Sequence, residues 1–95
     1  MIFAAICHDK PGLLETRLAV RPTHLDYLNA HPEVVKAAGA LLGADGNAAG
    51  SLLILDCADH AAAEAFCAGD PFAKAGLFGS VEIKPWRQAV GAKIG

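Results

Sequence analysis

Residues 34–57, VVKAAGALLGADGNAAGSLLILDC, hold two apolar segments around a polar, glycine-rich centre. Val34, Val35, Leu41 and Leu42 frame the first segment around a run of small residues. Leu52, Leu53, Ile54 and Leu55 fill the second, which runs from Ser51 to Cys57. Gly43-Ala44-Asp45-Gly46-Asn47 between them is a turn signal, so Val34–Leu42 and Ser51–Cys57 are expected to pair as an antiparallel hairpin. Gly43, Gly46 and Gly50 read as turn glycines, because no Lys-Ser/Thr pair or following helix completes a phosphate loop or dinucleotide motif.

Each side of the hairpin leads to a helix and then a strand. Towards the N-terminus, Leu14, Leu18, Leu25 and Leu28 fall within about 80° of one another at about 100° per residue, which predicts a helix over Leu13–Ala30. Pro22 removes a backbone donor and disfavours helical geometry at Arg21, so a kink or restart is expected there. Before that helix, Ile2–His8 reads as a strand apolar on nearly both faces, closed by Asp9-Lys10-Pro11-Gly12. Towards the C-terminus, Asp59 is positioned to cap an Ala-rich helix over His60–Ala68, anchored by Phe66 and stopped by Gly69 and Pro71. A short helical turn over Phe72–Phe78 and a half-polar strand over Val81–Trp86 complete the chain.

The order β-α-β-β-α-β is the split βαβ, ferredoxin-like arrangement: an α+β fold whose antiparallel sheet carries both helices on one face. The other face stays bare, and its apolar residues predict packing against the same face of a second copy, a homodimer. With 95 residues the chain has room for one domain, spanning 1–95, with a tail expected to be mobile after about residue 90.

Hydrophobic residues make up 54% of the chain and charged residues 19%, which excludes intrinsic disorder. The net charge is −2, and Lys and Arg are scattered, so nucleic acid is not an expected partner. The apolar runs fall far below the roughly 20 residues of a bilayer span, so no membrane association is expected. No Lys or Arg precedes Ile2 in the manner of a secretion signal, and a cytoplasmic location is expected. Cys7, Cys57 and Cys67 lack a C-x-x-C pair and read as reduced, buried thiols. Cys57 and His60 have metal-like spacing without a second ligand pair, so neither metal nor cofactor is expected.

His24 has the most suggestive setting for chemistry, with Arg17 seven and Arg21 three residues before it on one side of a regular helix. Histidine transfers protons near neutrality, and a carboxylate beside it fixes its tautomer. Asp70, in a Gly-Asp-Pro-Phe turn, is the candidate carboxylate, although spacing alone does not bring the two together. The plainer alternative is a packing histidine and a turn-forming aspartate. Ser51 is either a holder of a substrate oxygen or a hydroxyl at a strand start, and Arg17 and Arg21 either bind an anion or are solvated. Phe72 and Trp86 either wall a pocket or anchor the core or an interface. His8 and Asp9 either line the cleft of His24 or form a polar exit from the first strand, while His31 and His60 have no assigned role.

Several pieces carry a family likeness in order and spacing. They are the first strand with His8-Asp9-Lys10-Pro11, Arg17 followed by Arg21-Pro22-Thr23-His24-Leu25, Gly50-Ser51-Leu52, Asp70-Pro71-Phe72-Ala73-Lys74-Ala75-Gly76-Leu77-Phe78, and Val81-Glu82-Ile83-Lys84-Pro85-Trp86. Across nearly its whole length the chain resembles the YciI-like (YCII-related) family. The resemblance implies a dimeric α+β barrel of ferredoxin-like subunits and a site where a histidine and an aspartate form a dyad, at positions matching His24 and Asp70. It further implies a lyase, isomerase or hydrolase acting on an unidentified small molecule, since one member is proposed to eliminate chloride from a chlorinated hydroxyquinone-type ring. Two rival expectations are a non-catalytic small-ligand-binding module using the same cleft and an assembly subunit in which His24 is structural.

Overall fold

The computed structural model describes residues 1–94. Strand β1 (Ile2–Asp9) is followed by helix α1 (Leu14–Asn29), strands β2 (Val35–Leu42) and β3 (Ala48–Asp56), helix α2 (His60–Ala68), the short helix α3 (Pro71–Lys74) and strand β4 (Phe78–Pro85). The four strands form one sheet in the order β2-β3-β1-β4, every neighbouring pair antiparallel. This is the expected α+β, ferredoxin-like subunit.

Strand alternation divides the sheet into two faces. Phe3, Ala5 and Cys7 of β1 stand opposite Leu55, Leu53 and Ser51 of β3, and all six are buried. This face meets Leu28 of α1 and Ala63 and Cys67 of α2 in the core. Cys7, Cys57 and Cys67 are free and buried, as the sequence suggests. The other face carries Ala4 and Ile6 of β1 opposite Ile54 and Leu52 of β3, with Leu52 37% exposed, so an apolar surface faces away from the helices.

Four local expectations are adjusted. Helix α1 runs through Pro22 as one element, so of the expected kink or restart the restart is excluded. The carbonyl that Pro22 leaves without its bond is that of Leu18, on an exposed side where water can replace the missing donor. Leu18 is 58% exposed and does not belong to the inward stripe, whose buried members are Arg17, His24 and Leu28. Gly50 lies within β3 rather than in the turn, where a Cβ would collide with the carbonyl oxygen of Cys7 on the neighbouring strand. The turn itself is held by the Gly43 N–H donating to the Asn47 carbonyl at 2.8 Å and the Asn47 N–H to Asp45 Oδ1 at 2.9 Å. The last strand begins at Phe78, three residues before Val81, and ends at Pro85 as an edge strand.

Asp59 caps α2 as expected, accepting from the Ala62 N–H at 2.8 Å. One residue further on, His60 ties α2 to β4. Its Nδ1 lies 2.7 Å from Glu64 Oε1 and its Nε2 lies 3.1 Å from the Ile83 carbonyl oxygen. Both partners are acceptors, so the ring makes both bonds only as imidazolium. The Ile83 carbonyl and then the Glu64 carboxylate hold its pKa above the ordinary 6.5. A raised folded-state value gives a contribution fully present below pH 6.5 and lost as pH rises through the raised value. The wild-type melting temperature is therefore expected to fall towards that of His60→Gln on going from about pH 6 to about pH 8.5, and a pH-independent gap between the two would contradict this.

Candidate active site

Asp9, at the end of β1, receives Arg17 from the first turns of α1. Arg17 Nε donates to Asp9 Oδ2 at 2.6 Å and Nη2 to Asp9 Oδ1 at 3.1 Å, while Nη2 also donates to Ser51 Oγ on β3 at 2.8 Å. The two charged side chains are only 4% and 8% exposed. A planar guanidinium matched to both carboxylate oxygens keeps this buried pair in one geometry.

Seven residues along α1, on the same inward stripe, His24 places Nδ1 2.7 Å from Asp70 Oδ1. Asp70 is fixed from its own side, since Oδ1 also accepts the Phe72 N–H at 2.9 Å as the cap of α3, where Pro71 occupies the first helical position. Phe72, fully buried, joins the two polar pairs: His24 stacks on its ring at 3.8 Å and 17°, and the Arg17 guanidinium carbon lies 4.5 Å from its centroid. Asp70 Oδ2 is enclosed with no hydrogen-bond partner among the described residues. Burial first, and then charges that include Asp70, push the Cys7 thiol up to about 12 and the Cys67 thiol to about 11. Burial and the Asp70 charge also raise Tyr27. Both thiols and the phenol therefore stay protonated near neutrality.

An ionised carboxylate only accepts, so the 2.7 Å contact puts a neutral His24 proton on Nδ1 and leaves the Nε2 lone pair free. Nε2 has no protein partner among the described residues. His24 lines a cavity of about 140 Å³ together with Arg17, Arg21, Ser51, Phe72 and the Ala38–Ala40 stretch of β2. No acidic side chain lines it, and Arg21, exposed at the rim, makes no ion pair among the described residues. The arrangement can accept a proton at Nε2, compensate the imidazolium through Asp70, and hold an anionic oxygen.

Of the residues singled out from sequence, His24, Asp70, Arg17, Ser51, Phe72 and Arg21 all meet at or beside this cavity. Asp9 joins them through Arg17, whereas His8 does not: it is exposed, opposite Gly50 and Ser80 on the face away from Cys7. Trp86 is 38% exposed and pairs with Ile2 through its backbone, far along the sheet from His24. The wall formed by Ala38, Gly39 and Ala40 carries no chemical signal in the sequence beyond the run of small residues in the middle of β2.

The fold and this inward polar cluster define a ferredoxin-like α+β subunit with a histidine–carboxylate site between its first helix and its sheet. A YCII-related domain profile matches residues 1–87, and the chain belongs to that family. Protein YciI of Escherichia coli O6:H1 is 33% identical over 96 residues, covering 93% of this chain and 98% of the relative. An uncharacterized protein of Haemophilus influenzae is 32% identical over 100 residues, with the same coverage of 93% and 98%. Among solved structures, the chain is similar to the 5-chloro-2-hydroxyhydroquinone dehydrochlorinase of Burkholderia phenoliruptrix AC1100 in complex with 2,5-dihydroxybenzoquinone. That likeness has a TM-score of 0.87 at 32% identity, covering 94% of this chain and 96% of the other. A cofactor-independent oxygenase from Streptomyces nogalater shares the fold alone, at 16% identity and a TM-score of 0.58. No helix among the described residues is long and apolar enough to cross a membrane.

Proposed function

We propose that the protein is a small-molecule enzyme in which His24 is the general base and Asp70 orients it and compensates its charge. The observation carrying this is the 2.7 Å contact between His24 Nδ1 and Asp70 Oδ1, with Nε2 left free at a cavity lined by cationic and not acidic side chains. Nε2 takes a proton from a polarised O–H or C–H bond of the substrate. The electron pair left behind either expels a leaving group, a lyase reaction, or is reprotonated at another atom, an isomerisation. A hydrolase would use the same base on water. Similarity to a dehydrochlorinase solved with 2,5-dihydroxybenzoquinone favours the lyase course and an oxygen-rich, anionic substrate. Arg21 and Ser51 are the groups placed to hold the substrate oxygen; Arg17 acts through Ser51 and Phe72.

The apolar sheet face carrying Ala4, Ile6, Leu52 and Ile54 supports a homodimer closed face to face, a dimeric α+β barrel. Three free buried thiols accord with a reducing, cytoplasmic setting. Thermal-shift screening of wild type and His24→Ala against small acids, lactones and ring phenols tests the site, because a ligand selective for the folded state raises its apparent stability. A hit lost in His24→Ala, followed by turnover, is the expected result. Binding without turnover would make the protein a ligand-binding module, and a hit kept in full by His24→Ala would remove His24 from the site. Light scattering showing a stable monomer at micromolar concentration would overturn the dimer.

A further inference from the structure

Val35, Ala38 and Ala40 of β2 stand opposite Leu55, Leu53 and Ser51 of β3, so they share the helix-facing side of the sheet. On β3 that side is buried, but Ala38 and Ala40 are exposed, so helix α1 stops short of the edge strand. An open groove follows. The 140 Å³ cavity at His24 and a second one of about 270 Å³ share Leu25, Leu28 and Ala38 as lining, which places them side by side between α1 and β2. Beyond the shared residues the second is lined by Asn29, Pro32 and Val35, so its lining side chains are hydrocarbon except for one neutral amide, with polar atoms also exposed between them.

The two parts differ in chemistry. The end at His24 has Arg21 without an ion pair and no acidic lining, which fits an anionic oxygen, and the far end presents aliphatic side chains with the Asn29 amide as its one polar side chain. At about 140 Å³ the near part lies below the roughly 300 Å³ at which ligand sites usually begin, so a ligand of ordinary size must extend out of it. The neighbouring groove is the adjoining space along the helix side of the sheet.

We infer that the groove between α1 and β2 seats the apolar arm of an anionic substrate whose charged oxygen lies at Arg21, Ser51 and His24. The substrate class is therefore a carboxylate or enolate bearing an alkyl or aryl extension, rather than a bare polar ring. This rests on the assignment of His24 and Asp70 as the reacting site.

The test uses the full chain, isotopically labelled, titrated by NMR with acetate, butanoate, hexanoate and octanoate at constant pH. The expected result is movement of the His24 signals by every member, movement of Leu25, Val35 and Ala38 only by the longer ones, and tightening with length. Full burial of a methylene is worth about fourfold in affinity, and a half-open groove about twofold. Asn29→Glu and Val35→Thr, both outside the near cavity, are expected to compress the ratio of octanoate to acetate affinity towards one. If octanoate binds no tighter than acetate while both still move His24, the apolar arm is overturned and the site stands. If no carboxylate moves His24 and His24→Ala binds them all alike, the site assignment itself falls.

Discussion

Asp9→Ala is expected to destabilise the protein by about 3–5 kcal/mol, because it leaves the Arg17 guanidinium buried with Ser51 as its remaining partner. At about 4–8 °C per kcal/mol for a domain of this size, the melting temperature should drop by roughly 15 °C or more. The size of the effect comes from the unpaired charge and not from the net strength of the pair, since taking both ions out of water nearly cancels their attraction. Arg17→Met, which removes the charge and keeps much of the packing against Phe72, should therefore cost less than Asp9→Ala. The double variant Asp9→Ala/Arg17→Met should recover part of the loss, giving a coupling energy that a thermodynamic cycle reads directly. All variants must be melted at one protein concentration, since dimerisation would make the transition concentration-dependent. A loss below about 1 kcal/mol for Asp9→Ala would mean that water reaches Arg17 and that the pair behaves as a surface ion pair.

The same pair shows what the sequence makes legible and what it hides. Strands and helices follow from local signals, since apolar alternation, the Asp45-Gly46-Asn47 turn and the Asp59 cap act within a few residues. Element order then leaves few ways to bury the apolar faces, so the ferredoxin-like topology is readable. Leu18 misleads because helical spacing is judged by residue type: it shares a stripe with apolar neighbours, yet the inward face is set by where Arg17 and His24 find partners. Pro22 does not restart the helix, because the carbonyl it orphans lies on the exposed side, where water can replace the missing donor. The contacts of the site itself lie beyond local signals: 34 residues separate Arg17 from Ser51, and 46 separate His24 from Asp70. No periodicity encodes such a meeting. Residue chemistry makes His24 and Asp70 candidates and the family resemblance implies that they form a dyad, but only the folded chain supplies the 2.7 Å contact, the stacked Phe72 and the cap that fixes the carboxylate. The apolar groove is hidden for a related reason, because small residues in a strand read as weak strand formers and not as empty space above them.

Asp70→Asn is expected to lower kcat by about 10²–10⁴ with the fold kept, the range over which positioned acid–base groups contribute. In wild type a single atom, Asp70 Oδ1, accepts from both His24 Nδ1 and the Phe72 N–H. Asparagine can keep that oxygen in place and so preserve the cap of α3, which is why the fold should survive. Its NH₂ group must then occupy the position of Oδ2, an enclosed site with no partner among the described residues, and the negative charge facing His24 is gone. Turning the amide round instead would point NH₂ at Nδ1, force the ring proton to Nε2 and lose the cap bond to Phe72. The first orientation leaves the imidazolium uncompensated as Nε2 takes its proton, and the second removes the base, so both slow the reaction. Imidazole nitrogen shifts distinguish the two, since only the second moves the proton to Nε2. His24→Ala should cost at least as much, and the double variant no more than His24→Ala alone, because the two side chains act as one unit. Full activity of a folded Asp70→Asn would show that the carboxylate serves the α3 cap alone and that His24 needs no charge behind it.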